Sequence, residues 1–312
     1  MILAACGRLW IKLRIAGRGC GQIRIGLALV VLAGIGLGAC DDSAPAKPAP
    51  EPVPAARVIT LTPSATEIVA ALGATGSLVG VDRYSTYPAA VDDLPEVGDF
   101  LHPSFDAILR LSPDLVIADN VQAKVVDGLA AAGIRTLVFP MHDVGDVRRA
   151  LTAVGAALGK DAAARRVIAD IDAHLGAARD RARRRAAAGL PAPRVLAVVD
   201  REHGGLGGLV ACGPDSYLDG LLAVIGADNA LATSGRYARI SPEGILAARP
   251  DIIIDTTHGA TAAGATAAYA PLGEVPAVRN RRIVVLSAPY FVAPGPRVTA
   301  AVSGLEKVLY GK

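Results

Sequence analysis

Cysteine is almost absent from the greater part of this sequence. Of the four cysteines, Cys6, Cys20 and Cys40 lie in the first forty residues, and Cys212 stands alone in the rest. A disulfide within the chain after residue 40 is therefore impossible. We expect Cys212, in the segment LVACGPDSY, to be a small buried residue rather than a nucleophile.

Net positive charge is also missing from most of the chain. Residues 1–39 carry five basic and no acidic side chains, which leaves 27 basic against 29 acidic side chains in the remainder. The formal charge of +3 therefore comes entirely from the N-terminus. A nucleic-acid partner requires a basic footprint on the folded part of a protein, so the composition predicts no such partner.

The N-terminal apolar run is too short for a comfortable membrane span. Its sequence, IGLALVVLAGIGLGA, covers residues 25–39, or about 22 Å as a helix. The hydrocarbon core of a bilayer is ~30 Å thick. The run follows a basic stretch that ends at Arg24. This order is typical of a secretory signal peptide, which we assign to residues 1–39.

The signal segment ends in Leu37-Gly38-Ala39-Cys40, which resembles the lipobox of bacterial lipoproteins. The resemblance implies that the Cys40 thiol carries a lipid and that Asp41 retains the protein at the inner membrane of a Gram-negative cell. The alternative is a cysteine that happens to end an apolar run. Residues 40–56 are polar and rich in proline and alanine, which predicts a tether between a membrane anchor and a folded body.

Motifs that mark catalysis or local metal binding are missing as well. The sequence has no G-x-S-x-G, P-loop or zinc-protease motif. It also has no H-x-x-x-H or C-x-x-C spacing. We therefore predict a protein that is not an enzyme and has no local metal site.

Short apolar runs bounded by turn residues are present throughout the body and predict buried strands. Helical segments separate them, which favours an α/β fold with mostly parallel sheets. The first helical segment, SATEIVAALGA, has Ser64 and Glu67 at the spacing of a capping box. The predicted strands are RVITL, LVGV, DLVIA and RTLVF, followed by RVLAVV, DIIID and RIVVL.

One sixteen-residue segment occurs twice, 137 residues apart. SFDAILRLSPDLVIAD begins at Ser104 and SPEGILAARPDIIIDT begins at Ser241, with six identical positions. Arg-Val opens each half, at Arg57 and Arg194. Gly-Ala followed by Arg-Tyr forms a further echo, at 73–84 and 226–237, with a different offset. We infer two similar lobes, over residues 57–143 and 190–312.

The region between the lobes, residues 144–189, contains no proline and predicts helix. Residues 161–188 would form a helix about 42 Å long. Val167, Ile171 and Leu175 would form its apolar stripe. The basic run at 179–185 fits a solvated helical face better than a binding patch.

This order of segments resembles the substrate-binding proteins of ABC importers, in particular the group whose lobes are joined by one rigid helix. That group takes up vitamin B12, haem, ferric siderophores or metal ions. The resemblance implies two similar α/β lobes with mostly parallel sheets flanked by helices, joined by one long rigid α-helix. It is carried by RVITLTPSATEIVAALGA, VGVDRYSTYP, LPEVGDF, AILRLSPDLVIA and APGPRV.

The same resemblance implies a location and partners. It describes a monomeric periplasmic protein, bound to the membrane only through its lipid, that delivers a small molecule to an ABC permease dimer with its ATPase subunits. In this family an acid on each lobe pairs with permease arginines, and the matching positions are Asp106 and Glu243. Both acids would also stabilise a helix N-terminus, which is the structural alternative for them.

The ligand implied by the resemblance is vitamin B12 or a related corrinoid, held in the cleft between the lobes without a resident cofactor. The alternative is haem or a ferric siderophore, and a siderophore would need arginines such as Arg83, Arg201 and Arg236. The ligand-binding positions carried over are Tyr84, Pro289, Tyr290, Phe291, Val292 and Ala293. Weaker candidates in predicted loops are Phe100, His102, Asn120, Met141, His142, His203, Tyr237 and His258.

Overall fold

Two β-sheets flanked by helices make up the described part of the chain, residues 54–311 of a computed structural model. The predicted signal peptide, Cys40 and the tether up to residue 53 lie outside the described residues. Within residues 54–311, no helix combines the length and the apolar character needed to cross a bilayer.

The N-terminal lobe contains a four-stranded sheet in which every pair of neighbours is parallel, in the order β2-β1-β3-β4. All four predicted strands of this lobe are confirmed. The central strands β1 and β3 are fully buried, as expected for a parallel sheet covered on both faces. Its elements are β1 (Val58–Thr60), α1 (Pro63–Ala71), β2 (Leu78–Val81), α2 (Phe105–Arg110), β3 (Leu115–Asp119), α3 (Ala123–Ala131) and β4 (Arg135–Phe139).

The C-terminal lobe contains a six-stranded sheet in the order β10-β9-β5-β6-β8, with β7 also paired to β5. Helix α10 closes this lobe against α5 and α6. Its strands are β5 (Arg194–Asp200), β6 (Val210–Cys212), β7 (Asp228–Asn229), β8 (Tyr237–Arg239), β9 (Ile252–Asp255) and β10 (Ile283–Val285). Its helices are α6 (Tyr217–Ile225), α7 (Pro242–Ala248), α8 (Ala262–Tyr269), α9 (Pro276–Arg279) and α10 (Val298–Tyr310).

The C-terminal sheet is less parallel than the sequence predicts. Strands β5, β9 and β10 are parallel, but β6 pairs antiparallel with both β5 and β8. The physical reason is the short loop of nine residues, REHGGLGGL, between β5 and β6. A loop of this length cannot contain the crossover helix that a parallel neighbour requires. The α/β class is confirmed, and the two lobes differ at this edge.

The connecting region is two helices, α4 (Val144–Ala157) and α5 (Asp161–Ala187). Gly159 separates them in a left-handed conformation, with φ of 64°. Helix α5 has 27 residues, about 40 Å, and packs against α4, α6 and α10. Ile171 and Leu175 are fully buried and Val167 is half-buried, as the predicted apolar stripe requires.

The basic run of α5 is only in part a solvated face. Arg179, Arg183 and Arg184 are exposed. Arg181 forms an ion pair with Glu306 of α10, at 2.6 Å between Nη2 and Oε2. Arg185 stacks on the ring of Tyr310 and donates a hydrogen bond to the Ile225 carbonyl. Two of the arginines therefore bind the connecting helix to the C-terminal lobe.

The repeated segment has the same structural role in each lobe. The Asp114 carboxylate accepts hydrogen bonds from the amides of Ala56 and Arg57, at the start of β1. The Asp251 carboxylate accepts the amide of Arg194, at the start of β5. The Arg57 and Arg194 guanidinium groups then donate to carbonyls at the ends of α2 and α7. Each Arg-Val and Pro-Asp pair thus fixes the start of a central strand, β1 or β5, to the end of the helix that precedes the Pro-Asp, α2 or α7.

The capping box predicted at Ser64 is wrong. Helix α1 begins two residues earlier, and its N-cap is Thr62, whose hydroxyl accepts the amide of Ala65 at 3.1 Å. Pro63 takes the first helical position, which suits its fixed φ and missing amide hydrogen. Glu67 is therefore free of a capping role, and its side chain is buried.

Candidate functional site

A cavity of about 530 Å³ lies between the two lobes. Most of its N-terminal wall follows the carboxyl ends of β1, β2, β3 and β4, where ligands bind in open parallel sheets. The N-terminal lobe contributes Thr62, Pro63, Ser64, Tyr84, Phe100, Asp119, Val121, Pro140, Met141 and His142. The C-terminal lobe contributes Tyr237, Val292, Ala293 and Pro294.

Aromatic rings face this cavity from both lobes. Tyr84 of the N-terminal lobe is 58% exposed and Tyr237 of the C-terminal lobe is 48% exposed. Phe100 of the N-terminal lobe is half-buried and lines the same cavity. Desolvation raises the pKa of Tyr237, so its hydroxyl is a neutral hydrogen-bond donor at physiological pH. Such rings offer a flat apolar face and a polar edge to a planar ligand.

The cavity lining has few charged groups. Within the described residues, it includes no lysine or arginine, and its one carboxylate is Asp119. Burial raises the pKa of Asp119, and its side chain accepts the amide of Val121 at 3.1 Å. His142 is half-buried, and its backbone amide donates to Asp146 at 2.8 Å. The site therefore offers hydroxyls, rings and apolar surface rather than cations.

Comparison with known protein families identifies the family of this chain. Residues 58–290 match the profile of the periplasmic binding protein family. The chain belongs to the periplasmic binding protein family. Membership implies an extracytoplasmic location, a small-molecule ligand and an ABC permease with its ATPase as partner.

Individual relatives of this family cover most of the chain. The ABC transporter substrate-binding lipoprotein YvrC of Bacillus subtilis is 27% identical over 259 residues, 81% of this chain and 80% of YvrC. The cobalamin-binding protein of Halobacterium salinarum is 25% identical over 264 residues, 81% of this chain and 69% of the relative. The family consists of substrate-binding proteins of ABC transporters, which confirms that the chain is not an enzyme.

A solved structure shows the same two-lobe arrangement. The apo form of the periplasmic heme-binding protein RhuT from Roseiflexus sp. RS-1 superposes with a TM-score of 0.72 at 30% identity. The match covers 82% of this chain and 98% of RhuT. The expected fold class is therefore confirmed for this periplasmic binding protein.

Half of the six ligand positions carried over from the family line the cavity. Tyr84, Val292 and Ala293 do so. Pro289, Tyr290 and Phe291 instead form a 3₁₀ turn outside the lining. The Phe291 ring is 4% exposed and lies 4.8 Å from the Tyr290 ring centroid. The two rings of this turn pack against the core, and the turn directly precedes the lining segment at residues 292–294.

Among the weaker loop candidates, four line the cavity, namely Phe100, Met141, His142 and Tyr237. Four others do not, namely His102, Asn120, His203 and His258. Sequence reasoning missed the α1 N-terminus at residues 62–64, as well as Asp119, Val121, Pro140 and Pro294. Most of them lie at the end of a predicted strand or directly after it, and this position in the sequence could have identified them. Within the described residues, no group of three metal-ligating side chains comes together.

Two of the three arginines considered for a siderophore are already paired. Arg201 is buried, and its Nε lies 2.6 Å from the Asp255 carboxylate. Arg83 lies 3.5 Å from Glu96 at the surface. Arg236 is exposed. The buried pair removes Arg201 from the residues that could bind an anionic ligand.

The two candidate docking acids occupy equivalent places. Asp106 and Glu243 are exposed in the first turns of α2 and α7, which Ser104 and Ser241 cap. A hydrogen bond with Ser241 lowers the pKa of Glu243, which keeps this carboxylate ionised. Each acid follows a cavity-lining aromatic residue by six positions, Phe100 in one lobe and Tyr237 in the other.

Proposed function

We propose that this periplasmic binding protein captures vitamin B12 or a related corrinoid in the inter-lobe cavity and delivers it to an ABC permease. The observation that carries the proposal is the character of the lining, which has rings and hydroxyls from both lobes but, among residues 54–311, no lysine or arginine. A corrinoid presents a broad macrocycle with amide side chains. Rings and hydroxyls suit that surface.

The competing ligands carry negative charge that this lining does not neutralise. Haem has two propionate groups, and many ferric siderophores are anionic. Burying an unpaired carboxylate is costly unless a cation or several hydrogen-bond donors receive it. The exposure of Tyr84 and Tyr237 supports a ligand that spans the cleft mouth rather than one enclosed by it.

Haem is the second candidate, and a specific observation favours it. Tyr84, Tyr237 and His142, all residue types that can ligate haem iron, border one cavity. The similarity to the heme-binding protein RhuT supports the same reading. In this case the propionates would extend from the cleft into solvent.

Equilibrium dialysis of purified residues 54–312 distinguishes these ligands. We expect cyanocobalamin to be retained at one molecule per protein, with hemin and an anionic ferric siderophore bound at least tenfold more weakly. Retention of hemin in preference to cyanocobalamin, with a shift of its Soret band, would replace the corrinoid proposal by the haem one.

The remaining parts of the proposal concern delivery and location. The exposed acids Asp106 and Glu243 each pair with one subunit of a two-fold permease, which accounts for one such acid on each lobe. The protein acts as a monomer in the periplasm. Cys40 carries the lipid that anchors it to the inner membrane, as the sequence Leu37-Gly38-Ala39-Cys40 supports.

A further inference from the structure

One buried ion pair connects the two lobes beside the cavity. Glu67 of α1 in the N-terminal lobe faces Arg297, which directly precedes α10 in the C-terminal lobe. The contact is bidentate, with Nε 3.0 Å from Oε2 and Nη2 bonded to Oε1. The Glu67 side chain is 5% exposed and the Arg297 side chain 23%. Bidentate pairs of this kind are the more directional ion pairs in proteins.

Aromatic rings from both lobes complete the environment of the guanidinium. The Arg297 Cζ lies 4.0 Å from the ring centroid of Tyr87 and 5.0 Å from that of Tyr290. Gly295 leaves room for this approach, since a Cβ there would lie 3.2 Å from the Glu67 Oε2, a tight contact. Arg297 is therefore held by Glu67 and Tyr87 of one lobe and by Tyr290 of the other.

The pair is directly connected to both walls of the cavity. Glu67 lies one helical turn after Pro63 and Ser64, which line the N-terminal wall. Arg297 follows the C-terminal lining segment, residues 292–294, by three residues. Neither side chain lines the cavity itself. The pair thus connects two segments that line opposite walls of the cavity.

We propose that Glu67 and Arg297 are positioning residues for ligand binding, which hold the N-terminus of α1 and residues 292–294 at the separation that the ligand requires. The pair also limits how far the lobes open. The choice of cyanocobalamin as the probe rests on the proposed function, whereas the restraint on the lobes does not.

The chain contains a matched control. Arg181 and Glu306 form a second bidentate pair, with Nε–Oε1 at 2.8 Å and Nη2–Oε2 at 2.6 Å. Their side chains are 31% and 9% exposed, close to the values of the first pair. This pair joins α5 to α10, and neither residue lines the cavity. Breaking either pair leaves a buried charge unpaired, so both should lower stability.

The first test compares affinity with stability in four variants. We expect Glu67→Gln and Arg297→Met to weaken cyanocobalamin binding at least tenfold by calorimetry. We expect Glu306→Gln and Arg181→Met to change it less than threefold at a similar drop in Tm. Loss of affinity in proportion to Tm in all four variants, or unchanged affinity in all four, would overturn the proposal. Arg297→Lys, which keeps the charge, serves if Arg297→Met does not fold.

The second test needs no ligand. Spin labels on Lys124→Cys and Ala267→Cys, both at exposed positions on opposite lobes, report the distance between the lobes. Cys212 is buried and its pKa is raised to about 12 by burial, so it stays unlabelled. Glu67→Gln should broaden the distance distribution, and Glu306→Gln should leave it unchanged. An unchanged distribution in Glu67→Gln contradicts the restraint, whatever the ligand is.

Discussion

A chain that carries Asp106→Lys and Glu243→Lys together is expected to bind its ligand with unchanged affinity and to support no measurable transport. Both acids are exposed and lie outside the cavity lining, so the ligand does not sense their charge. In the proposed docking, a lysine at each position would face a permease arginine. Like charges opposed across an interface cost several kcal/mol, so two reversals should reduce docking by more than about 100-fold.

Uptake of labelled ligand into proteoliposomes that contain the permease measures this effect. Asp127→Lys and Glu274→Lys provide the matched control, since both are exposed acids, one on each lobe, outside the first turns of α2 and α7. If the acids only stabilise helix N-termini, each reversal costs about 0.3–1 kcal/mol of stability and transport continues. Normal transport by the double variant would therefore remove the docking role.

The second large effect concerns the two tyrosines, one from each lobe, that line the cavity. Tyr84→Ala and Tyr237→Ala should each weaken ligand binding by roughly 30- to 100-fold. A ring that buries on the order of 100 Å² against a macrocycle contributes about 2.5 kcal/mol at ~25 cal/mol per Å². Because both residues are about half exposed, the substitutions should change stability by less than about 1 kcal/mol.

Tyr84→Phe and Tyr237→Phe are the controls, since they keep the ring and remove only the hydroxyl. For a corrinoid they should cost less than about tenfold, the scale of one hydrogen bond. For haem, a phenylalanine that replaces an iron-ligating tyrosine would abolish the characteristic absorption of the complex. Equal affinity of wild type and both alanine variants, measured by calorimetry, would exclude the cleft as the binding site.

Much of the fold could be predicted because it depends on local patterns. The runs LVIAD and IIID are apolar without alternation, as buried parallel strands are, and the repeat at Ser104 and Ser241 marks the same helix in each lobe. The structure also explains the differing offset of the Gly-Ala echo. Gly73 and Gly226 both end a helix, but β6 is inserted before the second of these helices.

What the sequence could not show depends on contacts between distant residues. Strands β6 and β8 have three residues each, and they form because β6 pairs with β5 and β8 pairs with β6. Glu67 fits a capping box by spacing, yet its partner is Arg297, 230 residues away. Tyr290 and Phe291 are expected from the sequence as ligand contacts, yet they lie in a turn outside the cavity lining, where Phe291 is buried and Tyr290 is half-buried against the core. No local pattern encodes such pairings.

Calorimetric titration of purified residues 54–312 with cyanocobalamin tests the central claim most directly. The lining of Tyr84, Phe100 and Tyr237, without a lysine or arginine among the described residues, predicts one-to-one binding with a Kd below about 1 µM. Binding should be lost when Tyr84 and Tyr237 are both replaced by alanine. No heat at two temperatures, together with tight binding of hemin by the same preparation, would contradict the corrinoid proposal.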